Sequence, residues 1–370
     1  MAKKKLCLIY NFAPKYREGI FKRIDEDFSC DWFFGKNKTD IKGLDLSVLK
    51  SVSELEGWKI PHTPFYYQKG VPSLLWRKEY QTYFMLGELF CLSTWYFLLL
   101  RKCFFPKKKV YFWTHGWYGK ETAIRKILKK VFFTAVDGVF LYGNHAKQLM
   151  IKEGFDEHKL FVIHNSLDYD KQLVLRNSLQ PTDVYQKHFG NNSPNLIFIG
   201  RLTTVKRIDL LLEALALLKN KGKMYNLTLV GDGVERANLT EKVQKLNLEE
   251  QVWFYGACYD EKVNAELIYN ADLCVSPGNV GLTAIHAMTF GCPVITHDNF
   301  PYQMPEFEAI KQGETGDFFQ YNNAASIADC IENWFAQADD RKAVRMACYH
   351  EIDTSWTPEY QIQVIKKHLV

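Results

Sequence analysis

Apolar runs of strand length recur along this chain, each followed by a stretch with helical spacing. In the first half the runs are KLCLIYNF (5–12), CDWFFG (30–35), TYFML (82–86), KVYFWT (109–114), GVFLYG (138–143) and LFVIHN (160–165). In the second half they are NLIFIG (195–200), NLTLVG (226–231), VWFYG (252–256), ADLCVS (271–276) and PVIT (293–296). Runs that are apolar throughout, rather than alternating, predict strands buried on both faces, as in parallel sheets covered by helices. Two such series in one chain predict an α/β protein of two Rossmann-like domains.

The stretch 169–194 lacks a long apolar run and ends in the turn-rich FGNNSP, which places the boundary there. The expected division is a first domain over 1–170, a linker over 171–194 and a second domain over 195–355. A terminal helix over about 356–370, with Ile362, Ile365 and Leu369 at helical spacing, is expected to pack back on the first domain. The segment TYFMLGELFCLSTWYFLLL (82–100) is long enough to cross a bilayer, but Gly87-Glu88 divides it. It reads as a strand, a turn and a helix of a soluble domain.

Length and composition agree with a two-domain globular protein: 370 residues, 47% hydrophobic and 24% charged. The nine cysteines form no CxxC and mostly sit in apolar runs, so a disulfide or zinc framework is not expected and a reducing compartment is. The basic start MAKKKLCLIYNF has too short an apolar part for a signal peptide. Charge divides unevenly. Residues 1–180 hold 30 Lys and Arg against 18 Asp and Glu, leaving the remainder at −7 within a total of +5. The run RKCFFPKKK (101–109) adds to a basic first half that suits an anionic partner, such as a membrane surface.

In open parallel sheets ligands bind beyond the carboxyl ends of strands. Past 195–200 come Arg201 and Lys206, two cations that can converge on a diphosphate. Past 271–276 comes PGNVGLTAIHAM, where Gly281, Leu282 and Thr283 open a helix and offer amides to the same anion. Thr283 adds a hydroxyl donor. The acidic LDYD (167–170) lies outside any strand end of the second series, so no metal site is assigned to it. No HExxH, Walker A or complete GxGxxG occurs, and nothing marks a nucleic-acid motif.

In this order, GRLxxxK, LVGDG, VxFYG and PxxxxGLTxxHAMxxGxPVI, with GETGDFF at 313–319, the second half resembles the donor-binding domain of GT-B retaining glycosyltransferases of family 4. The first half resembles that family's acceptor domain more loosely, through APKYREGIF (13–21), WTHGWYG (113–119) and VIHNSLD (162–168). The resemblance implies a GT-B fold whose two parallel sheets face a central cleft, with domain closure about 165–168. It implies that Arg201 and Lys206 hold the donor diphosphate and stabilise the leaving group, with help from Gly281, Leu282 and Thr283. Ala257 and Cys258 match the edge that reads the base, and His115 matches a catalytic histidine lining the sugar pocket. Tyr16, Arg17, Trp117 and Tyr118 fall on the acceptor side.

The family's paired glutamates, eight apart, are replaced by Gly278 and His286. His286 is then the expected ribose contact, since neutral imidazole can accept from a hydroxyl. Asn279, Glu306 and Glu308 are the expected donor-sugar contacts. No cofactor is expected beyond a UDP- or GDP-sugar as co-substrate. The implied activity is metal-independent retaining transfer to a glycan or lipid-linked oligosaccharide in surface polysaccharide assembly. It would occur in the cytoplasm or at the inner membrane face. A non-catalytic binding subunit and a nucleotide-sugar 2-epimerase, both compatible with this fold, remain alternatives.

Overall fold

The apolar runs become two separate parallel sheets. The computed structural model describes residues 5–37, 41–337 and 340–369. The first sheet is built from β1 (Lys5–Tyr10), β2 (Cys30–Gly35), β3 (Val52–Leu55), β6 (Tyr80–Leu86), β7 (Lys109–Thr114), β8 (Gly138–Leu141) and β9 (Leu160–Val162). Its order is β3-β2-β1-β6-β7-β8-β9, and every pairing is parallel. A short antiparallel hairpin of β4 (Gly57–Lys59) and β5 (Tyr66–Gln68) lies outside it. The second sheet holds β10 (Asn195–Ile199), β11 (Asn226–Val230), β12 (Val252–Gly256), β13 (Leu273–Ser276), β14 (Val294–His297) and β15 (Gly316–Phe319). It runs β12-β11-β10-β13-β14-β15, again parallel. The order reverses next to β10 and β13, and crevices at such points are where ligands bind.

Helices on the first sheet are α1 (Glu18–Asp27), α2 (Leu92–Phe104), α3 (Ala123–Thr134) and α4 (Asn144–Lys152). In the second series they are α5 (Tyr169–Ser178), α6 (Val184–Phe189), α7 (Ile208–Asn220), α8 (Arg236–Lys245), α9 (Glu261–Asn270), α10 (Leu282–Thr289), α11 (Ala324–Gln337) and α12 (Arg341–Ser355). The last helix is α13 (Pro358–Leu369).

The chain forms two compact units, one of 1–168 with 358–370 and one of 169–357. The stretch 171–194, expected as a linker, carries most of α5 and all of α6 inside the second unit. Buried Tyr185 anchors α6, its hydroxyl donating to the Leu267 carbonyl at 2.7 Å. In the first unit α13 lays Ile362 and Ile365 into a core shared with Ile20, Phe21 and Ile24 of α1. Gln361 of that helix donates to the His164 carbonyl at 3.0 Å and accepts from Ser166 Oγ at 2.6 Å.

The segment 82–100 is not one span, because 82–86 belongs to β6 at the middle of a sheet and α2 starts only at Leu92. Among the described residues no helix is long and apolar enough to cross a membrane. The basic run 101–109 is also less free than its composition suggests. Arg101 and Lys109 both pair with Asp137, the latter at 2.9 Å. Lys108 is buried and donates to the Arg77 carbonyl at 2.8 Å, and burial pulls its amine below the usual lysine range. All nine cysteines are unbridged, seven of them buried.

Candidate donor and acceptor sites

Two loops cross at the strand ends of the second sheet. After β10 the chain passes exposed Arg201 and reaches Lys206, whose carbonyl accepts from the Gly278 amide at 2.9 Å. The Lys206 ammonium donates back to Asn279, to its carbonyl at 2.6 Å and its side-chain oxygen at 2.9 Å. Only glycine fits at 278. A Cβ there would lie 2.0 Å from the Val205 carbonyl oxygen and 2.7 Å from Lys206 Cα, well inside van der Waals contact. A glutamate at 278 is therefore excluded by the approach of the two loops. Asn279, expected against a donor sugar, holds Lys206 here.

A buried amide fixes the second loop from beneath. Gln303 accepts from the Val280 amide at 2.9 Å and donates to Thr296 Oγ at 2.8 Å and the His297 carbonyl at 2.9 Å. Thr296 Oγ in turn donates to the Ser276 carbonyl at 2.9 Å. Gly281, at φ 53° and ψ −152°, then turns the chain into α10, a conformation that glycine adopts without strain. The first amides of α10 have no carbonyl a turn earlier to bond, so they offer donors and a partial positive charge to an anion. The Thr283 hydroxyl is not available as a further donor, because it donates to the Ile199 carbonyl at 3.0 Å and so ties α10 to the end of β10.

Lys206 feels this enclosure. Burial lowers its pKa to about 8, with Arg201 pushing the same way and Glu306 partly opposing both. Glu306 is buried in a short turn over Pro305–Ala309 that packs beside α10, whereas Glu308 is half-buried. The loop after β12 leaves Ala257 exposed, and the Cys258 carbonyl accepts from Asn264 at 3.4 Å.

That loop leads directly into α9, whose first residue, Glu261, receives His286. The His286 Nε2 lies 2.9 Å from Glu261 Oε1, and Gln172 of α5 donates to the same oxygen at 2.8 Å. Burial pushes the Glu261 carboxyl up, but hydrogen bonds from His286, Gln172 and Asn264 outweigh it and hold it below the usual carboxylate range. The histidine of α10 thus contacts a carboxylate supplied by another helix. Sequence reading missed Glu261 and Gln172, since neither falls in a motif. The only signal was the acidic first turn after VWFYG, which is equally a common helix start.

The first unit holds a cavity of about 520 Å³ at the ends of β1, β6 and β7. Tyr16, Arg17, His115, Tyr118, Glu121 and Lys129 are among the residues that line it. Arg17 is buried among four rings, its guanidinium 4.7 Å from Trp113, 5.2 Å from Tyr142, 5.7 Å from Tyr10 and 6.0 Å from Tyr16, and it donates to the Tyr142 hydroxyl. His115 stands beside it, packed against Tyr142 with ring centroids 4.7 Å apart. Burial lowers its pKa to about 4, reinforced by the cations of Arg17 and Lys129, so the imidazole is neutral over the physiological range. Glu121 braces the loop after β7, accepting from the amides of Tyr118 and Gly119 at 2.8 and 2.9 Å and pairing with Lys129 at 2.7 Å. Trp117 departs from its expected place. It is 2% exposed, meets Phe155 edge-on in the hydrophobic core, and does not line the cavity.

Residues 181–350 match the family described as glycosyl transferases group 1. The putative glycosyltransferase EpsD of Bacillus subtilis is 30% identical over 154 residues, which is 40% of this chain and 39% of that protein. The chain thus matches about two-fifths of that relative's length. Among solved structures, the Anabaena protein Alr3699/HepE in complex with UDP superposes with a TM-score of 0.73 at 14% identity, covering 98% of this chain and 99% of that one. The lipopolysaccharide outer core galactosyltransferase WaaB gives 0.69 at 15% identity, with 98% and 99% covered. The fold is GT-B, and residues 181–350 are similar to the group 1 glycosyl transferases.

Proposed function

We propose that this chain is a nucleotide-sugar-dependent glycosyltransferase acting with retention and without a metal ion. The observation that carries this reading is the convergence of Arg201, Lys206 and the α10 amides at the ends of β10 and β13, where a diphosphate would meet two cations and several N–H donors. A donor diphosphate would displace Asn279 from Lys206 and restore to that ammonium the counter-charge its burial lacks. As the sugar–oxygen bond breaks, negative charge grows on the departing phosphate, and these groups stabilise it more than they stabilise the bound donor. The acceptor hydroxyl would attack on the vacated face and pass its proton to a phosphate oxygen, so no strongly basic carboxylate is required.

Ala257 and Cys258 would meet the base, and His286 with Glu261 the ribose hydroxyls. Glu261 accepts and the imidazole orients it. Glu306 and Glu308 remain the side chains proposed for the donor sugar. In the first unit, the cavity with Tyr16, Arg17, Tyr118 and neutral His115 would take the acceptor, a glycan or lipid-linked saccharide of surface polysaccharide assembly at the inner membrane face. The structure solved with UDP supports uracil as the base to try first.

Calorimetric titration with UDP, GDP, CDP and dTDP tests the reading. One nucleotide should bind, and Arg201→Ala with Lys206→Ala should weaken it by about a hundredfold, as expected for two charge-assisted contacts. Binding by none of the four, or binding indifferent to the double substitution, would sink it.

A further inference from the structure

Among the described residues, the first unit carries an apolar face left uncovered. On α3, Ile124, Ile127, Leu128 and Val131 are 72%, 66%, 42% and 55% exposed, and their spacing puts them on one side of the helix. The neighbouring α2 turns Tyr96 and Leu99 outward as well, at 49% and 58%. The two helices lie side by side, since Trp95 of α2 packs on Phe132 of α3 with ring centroids 4.8 Å apart. Large side chains exposed singly need no explanation, but four on one face of a helix do.

The polar residues of α3 indicate what covers it. Arg125, Lys126, Lys129 and Lys130 are all basic, and the helix contains no acid. Lys129 and Lys126 pair with Glu121 and Glu153, which leaves Arg125 and Lys130 as the cations of this helix that, among the described residues, no carboxylate compensates. A second copy docked about a twofold axis would set these cations against their own kind. A surface of anionic lipid would meet both properties, taking the apolar side chains into the acyl boundary and the cations among its headgroups. The helices lie on such a surface rather than cross it, because the 13 residues of α2 span only about 20 Å.

We propose that the outer face of α2 and α3 is a docking surface for an anionic membrane. Arg125 and Lys129 of the same α3 also line the cavity beside His115. Docking would therefore set the cavity next to the headgroup layer, where a lipid-anchored acceptor presents its sugar. That consequence rests on the acceptor assignment above, while the docking itself does not.

Co-sedimentation with vesicles tests the surface, using phosphatidylcholine alone and with about 30% phosphatidylglycerol. The full chain should bind the mixed vesicles, less so the neutral ones. Ile127→Ser with Val131→Ser should weaken binding about tenfold or more, since each residue buries a large apolar side chain. No binding to either vesicle, or undiminished binding by the variant, overturns the proposal. So does a concentration-dependent dimer in sedimentation velocity that the same substitutions abolish, which would assign the face to a second copy. Nucleotide titration runs in parallel. It should be unchanged in the variant, and its failure in the wild type would count against the transferase reading while leaving the vesicle result to stand.

Discussion

The two units share one architecture but build their sites from opposite materials. In the second unit the candidate anion site is made of backbone, with Gly278 pressed against Lys206, Gly281 turning into α10, and Gln303 holding the loop between them. In the first unit the cavity is made of side chains, with Arg17 caged by rings and His115 held neutral by what surrounds it. A backbone site tolerates almost no added atom. A side-chain site should degrade gradually, because neighbouring groups can adjust.

The sharpest way to break that contrast is to place a glutamate at 278. Gly278→Glu should not restore a missing contact. It should drive the loop bearing Lys206 away from its place, because the new Cβ falls on the Val205 carbonyl. Nucleotide binding should be lost below detection, and the second unit should lose about 1–3 kcal/mol of stability, as in an overpacked core. Retained binding with a native melting temperature would mean that the loops yield easily and the contrast is false. Gln303→Ala comes next. It leaves the Val280 amide and the buried Thr296 hydroxyl short of partners, at about 1–3 kcal/mol for such groups. Thermal unfolding should move down accordingly, and nucleotide affinity should fall with it if the loop is what presents the α10 amides.

Smaller effects separate the groups that bind from those that support. Glu261→Gln should weaken a ribonucleoside diphosphate several-fold, about 1 kcal/mol, and leave its 2′,3′-dideoxy counterpart unchanged. Equal loss for both would make Glu261 a structural partner of His286 only. The pH dependence of nucleotide binding isolates Lys206. Its pKa is lowered to about 8, so it is an ammonium at neutral pH and a neutral amine above that value. Affinity should therefore be greatest below pH 8 and decline as pH rises through it, and Lys206→Arg should remove the decline. An affinity flat between pH 7 and 9 would place Lys206 outside the contact.

This difference in materials also explains what could be read before the structure. Buried parallel strands leave unbroken apolar runs, so all eleven runs above became strands, whereas β3 (VSEL) and β15 (GDFF), two of the four edge strands, carry mixed polarity and gave no such signal. Arg201, Lys206 and Gly281 stood out as candidates only in combination, because basic residues and glycines after strands are each common on their own. Glu261 could not, because its meaning comes from His286, 25 positions away, and from Gln172 on a third helix. Trp117 shows the converse: an aromatic beside a candidate histidine looks like a ligand platform, but its neighbours along the fold, Phe155 among them, draw it into the core. The run 101–109 looked like a free basic patch, but Asp137 and the Arg77 carbonyl, both remote in sequence, engage Arg101, Lys109 and Lys108 of it.

The smallest effect tests the first unit most directly. His115 titrates near 4, with burial the largest cause and the cations of Arg17 and Lys129 secondary. Followed by ring-proton NMR, the wild-type histidine should stay neutral down to about pH 5. Arg17→Gln removes one cation but leaves the ring within the same walls, so the midpoint should rise only partway towards the ordinary value near 6.5. A full return to that value would show that Arg17 alone sets the state of His115, and that the cavity is wetter than its packing implies. A midpoint that does not move at all would show that the four rings around the guanidinium already screen it from the imidazole. Either extreme would replace a site of many small contributions with a single dominant one. The partial shift is what distinguishes a side-chain cage from the backbone cradle of the other unit.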